Sequence, residues 1–311
     1  MLFRSRTAAV AVEQGRSAPA PATPGPGGEA ERANNAGHAL RGPGSLRSFN
    51  RYEIKYLVPV ADVQRILPAI EQRLDRDPYS DTTGYGVWST YYDTPQLRFY
   101  WEKIEGLKSR RKLRLRHYGD RFAVTADTPV YVEFKQRVNR VTQKRRLPLP
   151  YREALRLCAG KEPAGCEPGD RGFVEEVLDL VHRLNLRPTA MTGYQRQAYL
   201  GRDADLGLRV TIDQRVRGRE RDFHLANDAT NRFIVPPSKA IVEIKANERV
   251  PYWLTDLAAD HNMQVVRISK YCQSVEAFGG APRSVFHVPV DEYADDPTFD
   301  HTTAHAEARP R

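Results

Sequence analysis

Cysteine is scarce in this chain. Cys158, Cys166 and Cys272 are the three in 311 residues, an odd number with no CxxC pair. That argues against a zinc site and a disulfide framework and fits a reducing cytoplasm. There is no run of about 18 successive apolar residues, so no segment reads as a membrane-spanning helix. The first residues, MLFRSRTAAVAVEQGRS, are basic, but their apolar run is broken by Glu13 and makes a poor signal peptide. Neither GxxxxGK[ST] nor GxGxxG occurs, and the protein-kinase signature is missing. A phosphate bound by this protein is therefore held by side chains and not by a glycine-rich loop.

What the chain does have is positive charge in a pattern. Lys and Arg number 48 against 39 Asp and Glu, a formal net charge of +9. That excess favours an anionic partner: nucleic acid, a phosphorylated small molecule or an acidic lipid surface. In Lys112-Leu113-Arg114-Leu115-Arg116, basic and apolar residues alternate with a period of two. As a β-strand this sends three cations to one face and two leucines to the other. The same grammar recurs in Arg51-x-Glu53-x-Lys55, Glu133-x-Lys135-x-Arg137, Tyr194-x-Arg196, Arg209-x-Thr211-x-Asp213 and Glu243-x-Lys245. The opposite faces carry Ile54, Leu113, Leu115, Phe134 and Ile244, fit to pack beneath helices. Several such strands, with the helices between them, predict an α+β protein built on a closed barrel with a charged lumen and flanking helices.

Along the chain, residues 1–46 are rich in Ala, Pro and Gly and read as disordered, residues 47–280 as the folded domain and residues 281–311 as a flexible tail carrying His301 and His305. Strands are expected at 51–58, 87–92, 108–118, 130–137, 141–147, 189–200, 207–216, 239–246 and 265–268. Helices are expected from Asp62 with a kink at Pro68, over 151–159 and 173–184, from Pro251 as first helical residue, and after Ser269 as N-cap. Leu97 to Glu105 reads as a short strand or irregular chain.

Charges inside a barrel are tolerable when paired or when a ligand neutralises them. A ligand that meets several Arg, several Lys and a few carboxylates is most simply a polyphosphate with a divalent metal. Arg grips phosphate oxygens bidentately, Lys serves as a point charge, and hard Mg2+ or Mn2+ takes one or two carboxylates plus phosphate oxygens.

The strands Arg51-x-Glu53-x-Lys55-Tyr56, Lys112-Leu-Arg114-Leu-Arg116, Val132-Glu133-Phe-Lys135, Tyr194-Gln-Arg196, Val242-Glu243-Ile-Lys245 and the terminal Ser269-Lys270-Tyr271 resemble the VTC domain. That is the catalytic domain of polyphosphate polymerases, within the triphosphate tunnel metalloenzymes. The resemblance spans about 48–280. It implies a tunnel of about eight antiparallel strands and transfer of the γ-phosphate of ATP, or another triphosphate, to a growing inorganic polyphosphate with Mn2+ or Mg2+. It also implies that Lys55, Arg114, Arg116, Lys135, Arg196 and Lys270 act on the phosphates, with Tyr194 and Ser269 beside them. Glu243 is then the metal-binding carboxylate and Glu133 a possible second, with Glu53 an alternative. Lys112, Arg137, Lys144 and Arg209 are further substrate-binding candidates. The tunnel triphosphatases open with Glu-x-Glu-x-Lys, and Arg51 in the first position favours the polymerase branch. The eukaryotic polymerases carry membrane and phosphate-sensing domains absent here, so a separate membrane partner is a further expectation.

Blander readings stand beside these. Arg51, Arg137, Lys144 and Arg209 can equally be salt bridges at a barrel rim. Asp213 is expected to pair with a lumen cation, His117 to sit at the rim, and Trp88, Tyr91, Tyr92 and Trp253 to belong to the core. A triphosphatase on the same fold and a non-catalytic polyanion binder are the competing functions. Specific nucleic-acid recognition is not expected, because carboxylates are interleaved with the cations.

Overall fold

The computed structural model describes residues 51–290 apart from 81, 82, 140, 203, 204 and 248. Residues 1–46, residues 291–311 with His301 and His305, and the side chain of Arg51 lie outside the described residues.

In chain order the elements are β1 (Arg51–Pro59), α1 (Val60–Glu71), β2 (Leu74–Arg76), β3 (Tyr85–Asp93), α2 (Arg98–Ile104), β4 (Ser109–Tyr118), β5 (Pro129–Val138), β6 (Val141–Pro150), α3 (Tyr151–Cys158), α4 (Arg171–Leu184), β7 (Arg187–Gly201), β8 (Arg209–Arg219), β9 (Arg232–Phe233), β10 (Lys239–Asn247), α5 (Tyr252–Asp260), β11 (Gln264–Val265) and α6 (Lys270–Ala277). Eight strands of nine or more residues and three short ones form one antiparallel sheet, ordered β11-β1-β10-β8-β7-β3-β4-β5-β6, with β2 on β7 and β9 on β8. The α+β class and the count of about eight principal strands are as expected.

The expected closure is not complete. No backbone ladder joins β6 to β11 or β1, so the sheet is open by hydrogen bonding. It is nonetheless strongly curled. β5 lies six strand steps from β1, about 29 Å in a flat sheet at about 4.8 Å per step. Yet Lys135 of β5 feels Glu53 and Lys55 of β1 and Lys245 of β10 as near charges. Curling brings the wings face to face across a shared concavity.

The alternation decides which surface is which. On the convex side, Leu113, Leu115, Val132, Phe134 and Leu147 pack beneath α3 and α4 through Ala154, Leu157, Val177 and Val181. On the other wing, Val210, Ile212, Val242 and Ile244 pack beneath α1 and α5 through Val63, Ile66, Ile70 and Leu254. α6 lies on the concave side, where Tyr271 stacks on Tyr91 of β3 at 5.1 Å. Pro59, Pro150 and Pro251 stand as N-caps of α1, α3 and α5, each in extended geometry. Pro251 thus precedes the first helical residue. α1 continues through Pro68.

Three local expectations change. Residues 98–104 form α2, neither a short strand nor irregular chain. The Asp93 carboxylate accepts N–H from Thr94 (2.7 Å), Phe99 (2.9 Å) and Tyr100 (2.9 Å), and Thr94 Oγ1 accepts N–H from Arg98 (3.0 Å). This cap is supplied from well upstream, past the left-handed Leu97, and so escapes any local capping pattern. The segment 281–290, assigned to a flexible tail, lies against α6. Val288 donates N–H to Gln273 Oε1 (3.0 Å) and accepts from Gln273 Nε2 (2.6 Å), while His287 pairs with Glu276 at 2.8 Å. The expected strand over 265–268 is reduced to Gln264–Val265.

Gly193 on β7 sits under the Trp88 ring of β3, and a Cβ built there lies 2.2 Å from a ring carbon. Gly193→Ala is expected to cost about 1–3 kcal/mol, read as a lower urea midpoint at unchanged slope. Part of the loss should return in the double variant Trp88→Leu/Gly193→Ala.

Candidate functional site

Because β1, β10, β8, β7, β4, β5 and β6 point their alternating charges to the concave side, the fold collects them into three connected groups. The first is centred on Glu133. Its Oε2 accepts from Arg114 Nε (2.6 Å) and Nη2 (2.5 Å), its Oε1 lies 3.0 Å from Lys144 Nζ, and Arg116 Nε stands 3.9 Å away. Burial would raise this carboxyl, but Arg114, Arg116 and Lys144 hold it well below the usual carboxylate range. Arg116 also donates from Nε to Ser89 Oγ (3.0 Å) and from Nη2 to the Tyr194 hydroxyl (3.3 Å).

The second group is centred on Asp213, which has no exposed surface. Arg196 grips it bidentately, Nε to Oδ1 at 2.6 Å and Nη2 to Oδ2 at 2.8 Å, and Lys270 donates to Oδ2 at 2.6 Å. Asp213 thus pairs with lumen cations as expected. Lys270 and Arg196 both lie over the Tyr194 ring, at 4.6 and 5.1 Å. Lys270 reaches this place because Ser269 caps α6: its Oγ accepts N–H from Cys272 (3.4 Å) and also accepts from Lys112 Nζ (2.8 Å).

The third group is a checkerboard. β1 and β10 pair Lys55 with Glu243 and Glu53 with Lys245. Along each strand the ion pairs are Lys55–Glu53 at 3.2 Å and Lys245–Glu243 at 3.0 Å. Lys55 also donates to the Ile268 carbonyl (3.2 Å). Burial opposes both charges, yet Lys245, Lys55, Arg196 and Lys270 hold Glu243 well below its usual range, and Glu243 and Glu53 raise Lys55.

Lys135 faces all of this without a salt bridge or hydrogen bond to any described residue. Burial and the neighbouring Lys245, Lys112 and Lys55 pull it down to about 8, against the upward pull of Glu53. The cations of the concavity (Lys55, Lys112, Arg114, Arg116, Lys135, Lys144, Arg196, Lys245 and Lys270) outnumber its carboxylates, Glu53, Glu133, Asp213 and Glu243. The surplus gives the concavity a positive potential that attracts an anion.

Two candidates lie outside this convergence. Arg209 is engaged by Asp77 (3.2 Å), and Arg137 donates Nε to the Asn139 carbonyl (3.1 Å) in its own hairpin. His117 Nε2 donates to the Asp120 carbonyl at 3.1 Å, away from the groups above. Glu133, a candidate metal ligand, has its oxygens occupied by Arg114 and Lys144, and a metal could bind there only by breaking those pairs. Among the described residues no three His, Cys, Asp or Glu side chains stand close enough to hold a metal ion by themselves.

Other side chains join the site that sequence reasoning did not assign. Lys245 shares the period-two signal of Glu243 and was legible from it. Ser89 and Tyr91 lie two apart on the inward face of β3, but an aromatic strand reads as core. Lys103 reaches inward from α2, where burial and the nearby Lys112, Lys55 and Arg110 lower it to about 8. No strand pattern could have found it.

The sequence profile described as the VTC domain matches residues 50–278. Vacuolar transporter chaperone complex subunit 4 of Trypanosoma brucei brucei is 26% identical, over 78% of this chain and 36% of that protein. The Trypanosoma cruzi protein of the same description is 25% identical with the same coverage. The chain therefore spans about a third of the length of these curated relatives. Solved structures with a similar trace include a candidate adenylate cyclase of Bacillus halodurans (12% identity, 73% of this chain and 96% of that chain, TM-score 0.41) and a Pyrococcus horikoshii protein (12% identity, 73% and 99%, TM-score 0.36).

The Asp213 group generates a stability prediction. Asp213→Ala leaves Arg196 and Lys270 facing each other without their anion, and is expected to cost about 3–5 kcal/mol by chemical denaturation. The depressed carboxyls Glu133, Asp213 and Glu243 contribute stability that is present above their unfolded range and lost as pH falls through their lower folded values. Wild type is accordingly expected to lose stability progressively below about pH 4.5, and Asp213→Ala to show a shallower acid slope.

Proposed function

The chain belongs to the VTC domain family, and from that membership and the surplus of convergent cations we propose that it transfers the γ-phosphate of ATP, or of another triphosphate, onto a growing inorganic polyphosphate. The single observation that supports this most is that Arg114, Arg116, Lys135, Arg196 and Lys270, from three strands and a helix, meet in one concavity with acids that fix but do not exhaust them. Arg196 spends Nε and Nη2 on Asp213 and keeps N–H donors on Nη1, and Arg116 likewise keeps Nη1. Such anchored guanidiniums are oriented before the substrate arrives, which is what electrostatic stabilisation of a phosphoryl in flight requires.

In this reading Arg114 and Arg116 bind one part of the triphosphate, and Arg196 and Lys270 another beside Tyr194. Lys135, Lys112 and Lys55 face the remaining negative charge. The attacking group is a terminal phosphate already ionised at neutral pH, so no general base is needed. Glu53 and Glu243, neighbours on β1 and β10 that repel each other, fit one hard divalent cation whose shell is completed by phosphate oxygens. Mn2+ or Mg2+ held there would offset charge on the phosphate bridge. Ser269 takes a supporting part, since its hydroxyl already serves α6 and Lys112.

The relatives are described as subunits of a complex, and association with other chains, a membrane protein among them, is part of the proposal. Among the described residues no helix is long and apolar enough to cross a membrane.

Purified protein with ATP and Mn2+ is expected to yield long polyphosphate resolved on a gel. Arg114→Ala, Lys135→Ala and Glu243→Ala should each lower the rate at least about 100-fold, as loss of one transition-state charge contact does. Release of phosphate alone would instead identify a triphosphatase. Salt-sensitive polyanion binding with neither product would identify a binding module.

A further inference from the structure

We propose that Tyr91 is a phosphate-binding residue of the basic concavity, its hydroxyl donating to an oxygen of a phosphoryl group held by Arg114. The proposal rests on the reading of the concavity as a polyphosphate site and adds a ligand that the charge pattern does not contain.

Tyr91 is 5% exposed, and its hydroxyl accepts from Arg114 Nη1 at 3.2 Å. Among the described residues that O–H has no acceptor of its own. A buried hydroxyl that has accepted a hydrogen bond and not given one is poised for an acceptor to arrive. Its position repeats that of Tyr194, whose hydroxyl accepts from Arg116 in the same manner at 3.3 Å. Two adjacent arginines on β4 thus each hold a tyrosine hydroxyl, one from β3 and one from β7. A phosphoryl group lying along Arg114 and Arg116 meets both.

The ring is fixed for this task. Tyr91 stacks on Tyr271 of α6 at 5.1 Å with 29° between planes, and Tyr271 donates its own hydroxyl to Asp93. The neighbours facing Tyr91 are cationic on β4, namely Lys112, Arg114 and Arg116. The nearest carboxylate group on β5, Glu133, is turned to Arg114. From α6 and α2 it meets Tyr271, Cys272 and Tyr100, all kept neutral by burial and by acidic or thiol neighbours. Although burial would raise the phenol, Arg114, Arg116 and Lys112 bring it to about 7. Tyr91 therefore supplies part of the countercharge to these cations, and an arriving phosphate replaces that charge and restores the proton. Occupancy raises the phenol's value, so Tyr91's contribution to affinity is complete below about pH 7 and declines as pH rises above it.

The test is calorimetric titration of metal-free tripolyphosphate into the full chain as wild type, Tyr91→Phe and Arg116→Ala, with tyrosinate absorbance followed at pH 8. Tyr91→Phe keeps the stacked ring and is expected to bind about tenfold or more weakly, as loss of a hydrogen bond to a charged group does. It should also take up less proton than wild type on binding. The wild-type tyrosinate signal should fall as the site fills, a readout available even if the variant does not fold. Wild-type binding that Arg116→Ala abolishes and Tyr91→Phe leaves within about twofold, with no change in tyrosinate, would overturn the role of Tyr91 alone. No tripolyphosphate binding by wild type would sink both this proposal and the reading of the site.

Discussion

A sheet that turns one charged face onto itself must neutralise that face before it can close. Here three acids do this: Glu133 between Arg114 and Lys144, Asp213 between Arg196 and Lys270, and Glu243 beside Lys245. Each acid is buried, and each is held ionised by cations that burial alone would penalise. Remove these acids and the wings of the curled sheet repel one another. With them present, the face curls onto itself while keeping more positive charge than negative.

The remaining charge is unevenly shared. Arginines sit at the acids, forked and oriented, whereas burial and crowding by neighbouring cations bring Lys135 and Lys103 well below the usual lysine range. Compact ammonium groups crowded in this way store repulsion that a polyanion releases. Affinity for phosphate in such a site arises as much from relief inside the protein as from new contacts.

Helix α6 joins fold to site. Its first residues place Lys270 on Asp213 and Ser269 on Lys112, and its body is tied to the rest through buried polar contacts. Tyr271 reaches Asp93, which also caps α2, and Gln273 holds both Ile234 and Val288. Glu276 accepts from Tyr100 at 2.9 Å and pairs with His287. The segment 282–290 therefore steadies the helix that delivers Lys270, though its sequence reads as a tail.

The period-two alternation in Lys112–Arg116, Glu133–Lys135 and Glu243–Lys245 was enough, by itself, to say that a sheet carries one apolar and one charged face. It also sufficed to name most of the cations that converge, because side-chain direction along a strand depends on nothing but position parity. Partners were beyond it. That Arg209 would turn to Asp77, that Glu133 would be consumed by Arg114 and Lys144, and that Lys103 would enter from a helix are decisions of tertiary packing. So is the helix at 98–104, whose cap comes from Asp93. Closure itself was undecidable from the strands, since two wings can approach across a cavity without any backbone ladder between β6 and β1. Local chemistry assigns each side chain to a face; only the curl of the whole sheet determines which charges then stand opposite one another.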